Sequence, residues 1–196
     1  MRHNSLRDTF AELLQNAKCK DVVVEPTLLP LKGAQLPSGA STEDGARLDV
    51  SARSLWCPLE RAFLDIRVFH ALAPTNKARG TPAKMYAAHE NEKKRKYNAR
   101  VLQIEHGTFT PVVFSTTGGA GKEAQALLKR IAVLTANKTG QEYADVMNFV
   151  RRRVRFDLLR TTIIALRGSR KKKTPPADDI RDIDMNLIKR MGDDEE

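Results

Sequence analysis

Two aspartates stand in the middle of short strand-like runs, where a carboxylate is unusual. Asp49 lies in the run 46–52 and Asp65 in the run 63–69, and both runs alternate apolar and polar residues as half-buried strands do. If the two strands are neighbours in one sheet, both carboxylates can lie on the same side. Two carboxylates about 4 Å apart repel by roughly 4 kcal/mol at an effective dielectric constant of about 20, so the pair is stable only beside a cation or basic side chains. The pattern predicts that Asp49 and Asp65 hold a divalent metal, Mg²⁺ or Mn²⁺.

Lysines follow this pair in a helix-forming segment. Residues 83–104 are rich in Ala, Lys, Glu and Arg, and Lys93, Lys96 and Tyr97 lie three or four positions apart, so they face roughly the same way. Hydrolysis of a phosphodiester uses a metal to activate water and to neutralise the developing charge, and it benefits from a nearby lysine. The competing interpretation is that Asp65 forms a structural ion pair with Arg67, because ionic networks are commoner than active sites.

The elements that must position these residues follow from the periodicity of the chain. The sequence predicts a helix over 5–18, a strand over 21–25, a loop over 30–45, the two aspartate strands, a loop over 74–82, a helix over 83–104, a strand over 109–115, and two further helices from 124 to 134 and from 143 to 166. This order indicates an α/β fold with a small central mixed sheet flanked by helices.

A glycine-rich segment with a lysine, Gly118 to Glu123, superficially suggests a phosphate loop. The Walker pattern needs four residues between its glycines and Ser or Thr after the lysine, whereas Glu123 follows Lys122 here. The segment is therefore predicted to be a turn between a strand and a helix.

Composition favours a folded protein with an anionic partner. The chain has 196 residues, 41% of them hydrophobic, and a net charge of +10, which favours nucleic acid as the partner. No run is long enough to span a bilayer and the N-terminus lacks the apolar core of a signal peptide, so we expect a soluble, intracellular protein without a membrane partner. Cys19 and Cys57 are the only cysteines and show no Cys-x-x-Cys spacing, which excludes a disulfide framework and a structural zinc site.

Charge concentrates near the C-terminus. The last predicted helix carries a cluster of arginines, Arg151, Arg152, Arg153 and Arg155, which we interpret equally well as a solvated basic face or as phosphate contacts. From residue 169 the chain has a basic run and then an acidic end, with too little apolar surface to fold alone. We predict a domain over 1–168 and a charged, disordered tail over 169–196, whose basic run indicates a nuclear location or a nucleic-acid patch.

The motifs resemble those of the restriction-like endonucleases of the PD-(D/E)XK superfamily. The likeness is greatest to the domains at the C-terminal end of site-specific non-LTR retrotransposon reverse transcriptase proteins, with an Arg/Lys-Pro-Asp element, an Asp-Val-x-Val strand, and lysines ahead of a Lys-Tyr pair. The matching segments here are Arg47-Leu48-Asp49, Asp65-Ile66-Arg67-Val68 and Lys93 to Tyr97. Residues 2–4, 45–53 and 113–119 are also similar to a group of transposon-associated sequences.

The resemblance implies a restriction-endonuclease-like fold and a metal-dependent DNA endonuclease of mobile-element origin. Asp49 and Asp65 would bind Mg²⁺ or Mn²⁺, Lys93 or Lys96 would stabilise the transition state, and Arg47 and Arg67 would hold the phosphate. Tyr97 and the arginine cluster would contact flanking nucleic acid. An upstream reverse transcriptase module or a homodimer is the protein partner to expect.

Two positions depart from the family pattern. Leu48 replaces the proline, and Arg67 replaces the usual active-site lysine. Arginine stays protonated and cannot act as a base, so catalysis would depend on Lys93 or Lys96. The alternatives are a noncatalytic nucleic-acid-binding remnant and a protein-interaction domain, and RNA is the alternative to DNA. Glu12 and Glu25 are additional candidate carboxylates, whereas the four histidines, His3 among them, follow no ligand spacing.

Overall fold

The structure is a computed structural model that describes residues 2–167. The elements are α1 (Arg2–Asn16), β1 (Lys20–Val24), β2 (Val50–Arg53), β3 (Arg61–Phe69), α2 (Pro74–Lys77), α3 (Pro82–Gln103), β4 (Thr108–Ser115), α4 (Lys122–Thr139) and α5 (Tyr143–Arg167). The predicted tail over 169–196 and its basic run lie outside the described residues. None of the helices within residues 2–167 is long and apolar enough to cross a membrane.

Four strands form one mixed sheet in the order β1-β2-β3-β4. The pairs β1–β2 and β2–β3 are antiparallel, whereas β3 and β4 run parallel, with pairs from Ala62–Thr108 to Phe69–Ser115. A parallel pair needs a crossover, and α3 provides it between β3 and β4. The predicted α/β fold is confirmed, and the two aspartate runs are neighbours in the sheet, as the sequence analysis required.

Apolar side chains cover both faces of the sheet. On one face, Val50, Leu64 and Ile66 pack with the apolar stripes of α1, α4 and α5 in the main core. On the other face, Phe63 and Phe109 pack with residues of α3. Since β3 is buried on both sides, a charged side chain in this strand loses most of its contact with water.

Strand β2 begins later in the chain than predicted. Strand β2 begins at Val50 rather than near residue 46, so Asp49 occupies an irregular position just before the strand. Strict alternation along the run 46–52 would place Leu48 on the same face as Val50, but Leu48 packs in the cluster beneath α3 with Phe63. The irregular step at Asp49 breaks the alternation on which that expectation depended. A short helix, α2, also interrupts the loop predicted over 74–82.

A buried arginine fixes the long loop between β1 and β2 against α3. Arg100, fully buried, donates hydrogen bonds to the backbone oxygens of Leu29 (3.0 Å), Ser41 (3.1 Å) and Glu43 (2.8 Å). The backbone N–H of Ser41 in turn donates to the carbonyl oxygen of Lys96 at 2.8 Å. These contacts satisfy loop carbonyls that would otherwise be buried without a partner, so the loop has a defined position beside α3.

The glycine-rich segment is the predicted turn between β4 and α4. Gly121 is the N-terminal capping residue of α4, and the buried Glu90 of α3 accepts a hydrogen bond from the Glu123 backbone N–H at 3.0 Å. A Cβ atom added at Gly121 would lie 2.2 Å from Glu90 Oε1. The glycine at position 121 therefore allows the turn to pack closely against α3.

Candidate active site

Asp49 is held in place by hydrogen bonds of both its backbone and its side chain. Its backbone N–H donates to the carbonyl oxygen of Leu64 at 3.0 Å, one position beyond the last pair of β2 and β3. Its side-chain Oδ2 accepts from the backbone N–H of Ile66 at 2.5 Å and lies 2.9 Å from Nε2 of His3. The Asp49 carboxylate therefore crosses to β3 and lies beside the residue that follows Asp65.

Asp65 lies in the middle of β3 and is 6% exposed. Its Oδ2 is 2.7 Å from Nζ of Lys93, which α3 brings over the sheet. Burial raises the pKa of Asp65 above its ordinary value, Lys93 opposes that rise, and the charge of Asp49 adds to it. The two carboxylates are thus close enough for their charges to interact.

His3 is a residue of the site that spacing along the sequence did not identify. It extends from the first turn of α1 and contacts Asp49, and this hydrogen bond raises the pKa of the imidazole, while burial works in the opposite direction. The sequence analysis found no ligand spacing for this histidine because its partner is 46 positions away. The only available signal was the Arg-His-Asn start shared with the transposon-associated sequences.

Of the two candidate lysines, Lys93 contacts the buried aspartate. Lys96 lies over the ring of Tyr97, with Nζ 4.9 Å from the ring centroid. The hydrogen bond with Tyr97 is the main reason that the pKa of Lys96 is raised, and the charge of Asp65 contributes less. Lys96 is therefore near the carboxylates, but Lys93 is the lysine in the ion pair.

Arg67 does not pair with Asp65. The competing interpretation, a structural ion pair between these two residues, therefore names the wrong cation. Nη1 of Arg67 lies 2.9 Å from Oε1 of Glu92, one turn before Lys96 on α3. In an extended strand Arg67 and Asp65 are two residues apart and lean towards the same face, yet each selects a different residue of α3. The cation of Asp65 is Lys93.

The predicted role of Tyr97 is wrong. It was predicted to contact nucleic acid, but it is 8% exposed and packs in the cluster with Leu48, Phe63 and Phe109. Its ring centroid is 5.8 Å from that of Phe109. A ring that fills the core beneath α3 has no free face on which a base can stack, so we remove Tyr97 from the candidate binding residues.

The other predicted residues lie on the surface. Arg47 is exposed, with Nη1 3.9 Å from Oε2 of Glu25. Glu25 also pairs with Arg7, and its backbone N–H donates to the Asp49 carbonyl oxygen at 2.9 Å, so it lies next to the site by its backbone. Glu12 pairs with Arg153 at 2.8 Å. The whole cluster is exposed on α5: Arg151, Arg152, Arg153 and Arg155.

The two carboxylates fit a hydrated divalent ion. Within residues 2–167 there is no group of three or more His, Cys, Asp and Glu side chains that could enclose a metal. Mg²⁺, however, keeps several of its waters and is commonly bound through one or two carboxylates. Apart from its ion pair with Lys93, Oδ2 of the buried Asp65 has no hydrogen-bond partner among the described residues. Such an oxygen, beside a second carboxylate, suits a hard cation.

Comparison with known proteins adds no relative to these observations. No protein-family model matches the chain, and no curated protein has a matching sequence.

Proposed function

We propose that this protein is a metal-dependent DNA endonuclease domain of mobile-element origin, which hydrolyses phosphodiester bonds. The observation that carries the proposal is that Asp65 of β3 lies near both Asp49, the residue before β2, and Lys93 of α3: Asp49 accepts from the N–H of the next β3 residue, and Lys93 pairs with Asp65. The order of these residues is the one on which the resemblance to restriction-like endonucleases rests. The net charge of +10 suits a polyanionic substrate.

The two aspartates would hold Mg²⁺ or Mn²⁺, which when bound supplies Lewis-acid activation of water and neutralises charge on the phosphate. Asp49 is prepared for this role because the Ile66 N–H and His3 fix its orientation. Asp65 is prepared by burial, which keeps bulk water away from its carboxylate.

Lys93 would supply a positive charge from the protein to the phosphate that is cleaved. Its ammonium group lies at the buried carboxylate and is 21% exposed at the side chain, so it can turn from Asp65 towards a phosphate oxygen. A cation beside the pentavalent phosphate would stabilise the charge that develops in the transition state. Arg67 is already paired with Glu92, and an arginine does not act as a base, so a lysine of α3 would have to take the place of the usual active-site lysine.

The test is incubation of the purified protein with supercoiled plasmid in Mg²⁺, in Mn²⁺ and in EDTA. We expect nicking that depends on the metal and stops in EDTA. An RNA of similar length in the same assay identifies the preferred nucleic acid. Absence of nicking together with salt-sensitive DNA binding would favour the noncatalytic remnant, for which the Arg67–Glu92 ion pair is the specific observation.

If the protein does not bind DNA in a salt-sensitive way, and instead associates with a protein through an interface that salt hardly weakens, a protein-interaction domain is favoured.

A further inference from the structure

A cleft of about 330 Å³ lies beside the candidate active site, between α3 and the loop at residues 39–41. Its walls are formed by Gly39, Ala40, Ser41, Arg67, Glu92, Lys93, Arg95 and Lys96. This volume is roughly ten times the liquid volume of one water molecule, which is enough for a phosphate group. Lys93 belongs to both the cleft and the active site, so the two are continuous.

Positive charge is in excess in this cleft. Arg67 is paired with Glu92, and Lys93 with Asp65. Arg95 and Lys96 also line it, and neither has a carboxylate within 4.0 Å among the residues that the structure describes. Arg95 is exposed, and Lys96 lies over the Tyr97 ring. The two cations without carboxylate partners make the cleft suitable for an anion.

The wall opposite α3 is fixed before any ligand binds. Arg100 donates a hydrogen bond to the Ser41 carbonyl oxygen, and the Ser41 backbone N–H donates one to the Lys96 carbonyl oxygen. Gly39 has φ of +86°, and a Cβ atom there would be 3.3 Å from Cδ of Arg95. The glycine lets the loop pack on the aliphatic part of the Arg95 side chain. A preorganised site of this kind loses less entropy when it binds.

We infer that this cleft binds a backbone phosphate of the nucleic-acid strand, adjacent to the phosphodiester that lies at Lys93, with Arg95 as its principal ligand. The inference rests on the proposed function in one respect, namely that the strand passes Lys93. Guanidinium groups suit phosphate because their N–H donors match two phosphate oxygens at once. Contact at a second phosphate fixes the position of the strand relative to Asp49 and Asp65.

The experiment measures binding of a short fluorescein-labelled DNA duplex to the whole protein by anisotropy over a series of salt concentrations, in EDTA so that no cleavage occurs. The variant is Arg95→Gln, and the matched control is Lys129→Gln, which removes an equal charge from an exposed position on α4. We expect Arg95→Gln to weaken binding about tenfold, as for loss of one hydrogen bond to a charged group. The slope of log K against log salt should fall by about 1.

Arg95→Lys should restore most of the salt slope but only part of the affinity, since it keeps the charge and loses the paired donors. If Arg95→Gln binds like Lys129→Gln at every salt concentration, the inference is wrong even when the wild type nicks plasmid. If the Arg95 effect is present but the wild type never nicks in Mg²⁺ or Mn²⁺, the cleft is supported and the endonuclease proposal fails. If Arg95→Gln weakens binding of an RNA duplex as much as that of DNA, Arg95 contacts the phosphates of both nucleic acids.

Discussion

Nζ of Lys93 lies 2.7 Å from Oδ2 of Asp65, although the lysine comes from a helix on the outside of the sheet and the aspartate from the middle of a buried strand. Burial of a carboxylate costs free energy, and a paired cation offsets part of that cost. A protein that needed only a stable core would fill this position with an apolar side chain. A buried ion pair is thus weak evidence for stability, and the Lys93–Asp65 pair agrees with the role in catalysis that we propose for these two residues.

Removal of Lys93 should raise the pKa of Asp65 further. Burial already raises this pKa and Lys93 lowers it, so Lys93→Met leaves burial and the charge of Asp49 opposed only by the weaker effect of the His3 charge. Since the folded-state pKa lies above the unfolded one, ionisation of Asp65 costs stability as pH rises through that pKa. A ¹³C NMR titration of the metal-free protein measures the shift. Lys96→Met should move it less, and an unchanged Asp65 pKa in Lys93→Met contradicts the assignment of the pair.

His3 should titrate above its ordinary pKa of 6.5, and Asp49→Asn should lower that pKa, because the Asp49 hydrogen bond is the largest cause of the rise. A raised pKa in the folded state means that the His3–Asp49 contact stabilises the protein below pH 6.5 and that this contribution is lost as pH rises through the folded-state pKa. Comparison of urea unfolding of the wild type and His3→Asn across this range measures the effect, which solvent screening keeps small. Equal pH dependence of the two proteins would exclude the contact.

Arg100→Leu should destabilise the fold by about 3 kcal/mol, because three backbone carbonyls lose their donor at a fully buried position. Urea unfolding gives the free energy, and Arg95→Leu, on the exposed side of the same helix, should change it by less than about 0.5 kcal/mol. Similar values for the two variants would mean that Arg100 does not anchor the loop.

Glu92→Gln should increase DNA affinity. The substitution removes the anion that pairs with Arg67 in the cationic cleft, so one more guanidinium becomes available for phosphate. The affinity and its salt dependence should both rise in the anisotropy assay, with the slope steeper by up to about 1. Weaker binding by Glu92→Gln would indicate that Arg67 needs Glu92 for its position and does not contact the strand.

Much of the fold could be predicted because periodicity is local. The alternation through residues 63–69 and the helical spacing in 83–104 identified β3 and α3 closely, and β2 and β3 are the neighbours that the two aspartates required. The start of β2 was missed because the Asp49 side chain takes a backbone donor of β3, a contact between strands that no local pattern encodes.

The site was harder to predict than the fold. Lys93 and Lys96 were indistinguishable by spacing, and only the packing of α3 decides which one lies at Asp65. His3 was missed because it is distant in sequence from Asp49, and Tyr97 was misassigned because a tyrosine in a basic helix looks the same in sequence whether its ring is inside or outside. Contacts between distant elements determine each of these outcomes.

If Asp65 serves catalysis rather than DNA binding, Asp65→Ala should separate the two activities when both are measured on one preparation. Plasmid nicking in Mg²⁺ should fall by at least about a hundredfold, because one of the two carboxylates that would hold the metal is lost. DNA affinity in EDTA should stay within about twofold of the wild type, because Asp65 is buried and makes no phosphate contact of its own. Nicking by Asp65→Ala at the rate of the wild type would show that Asp65 has no role in catalysis.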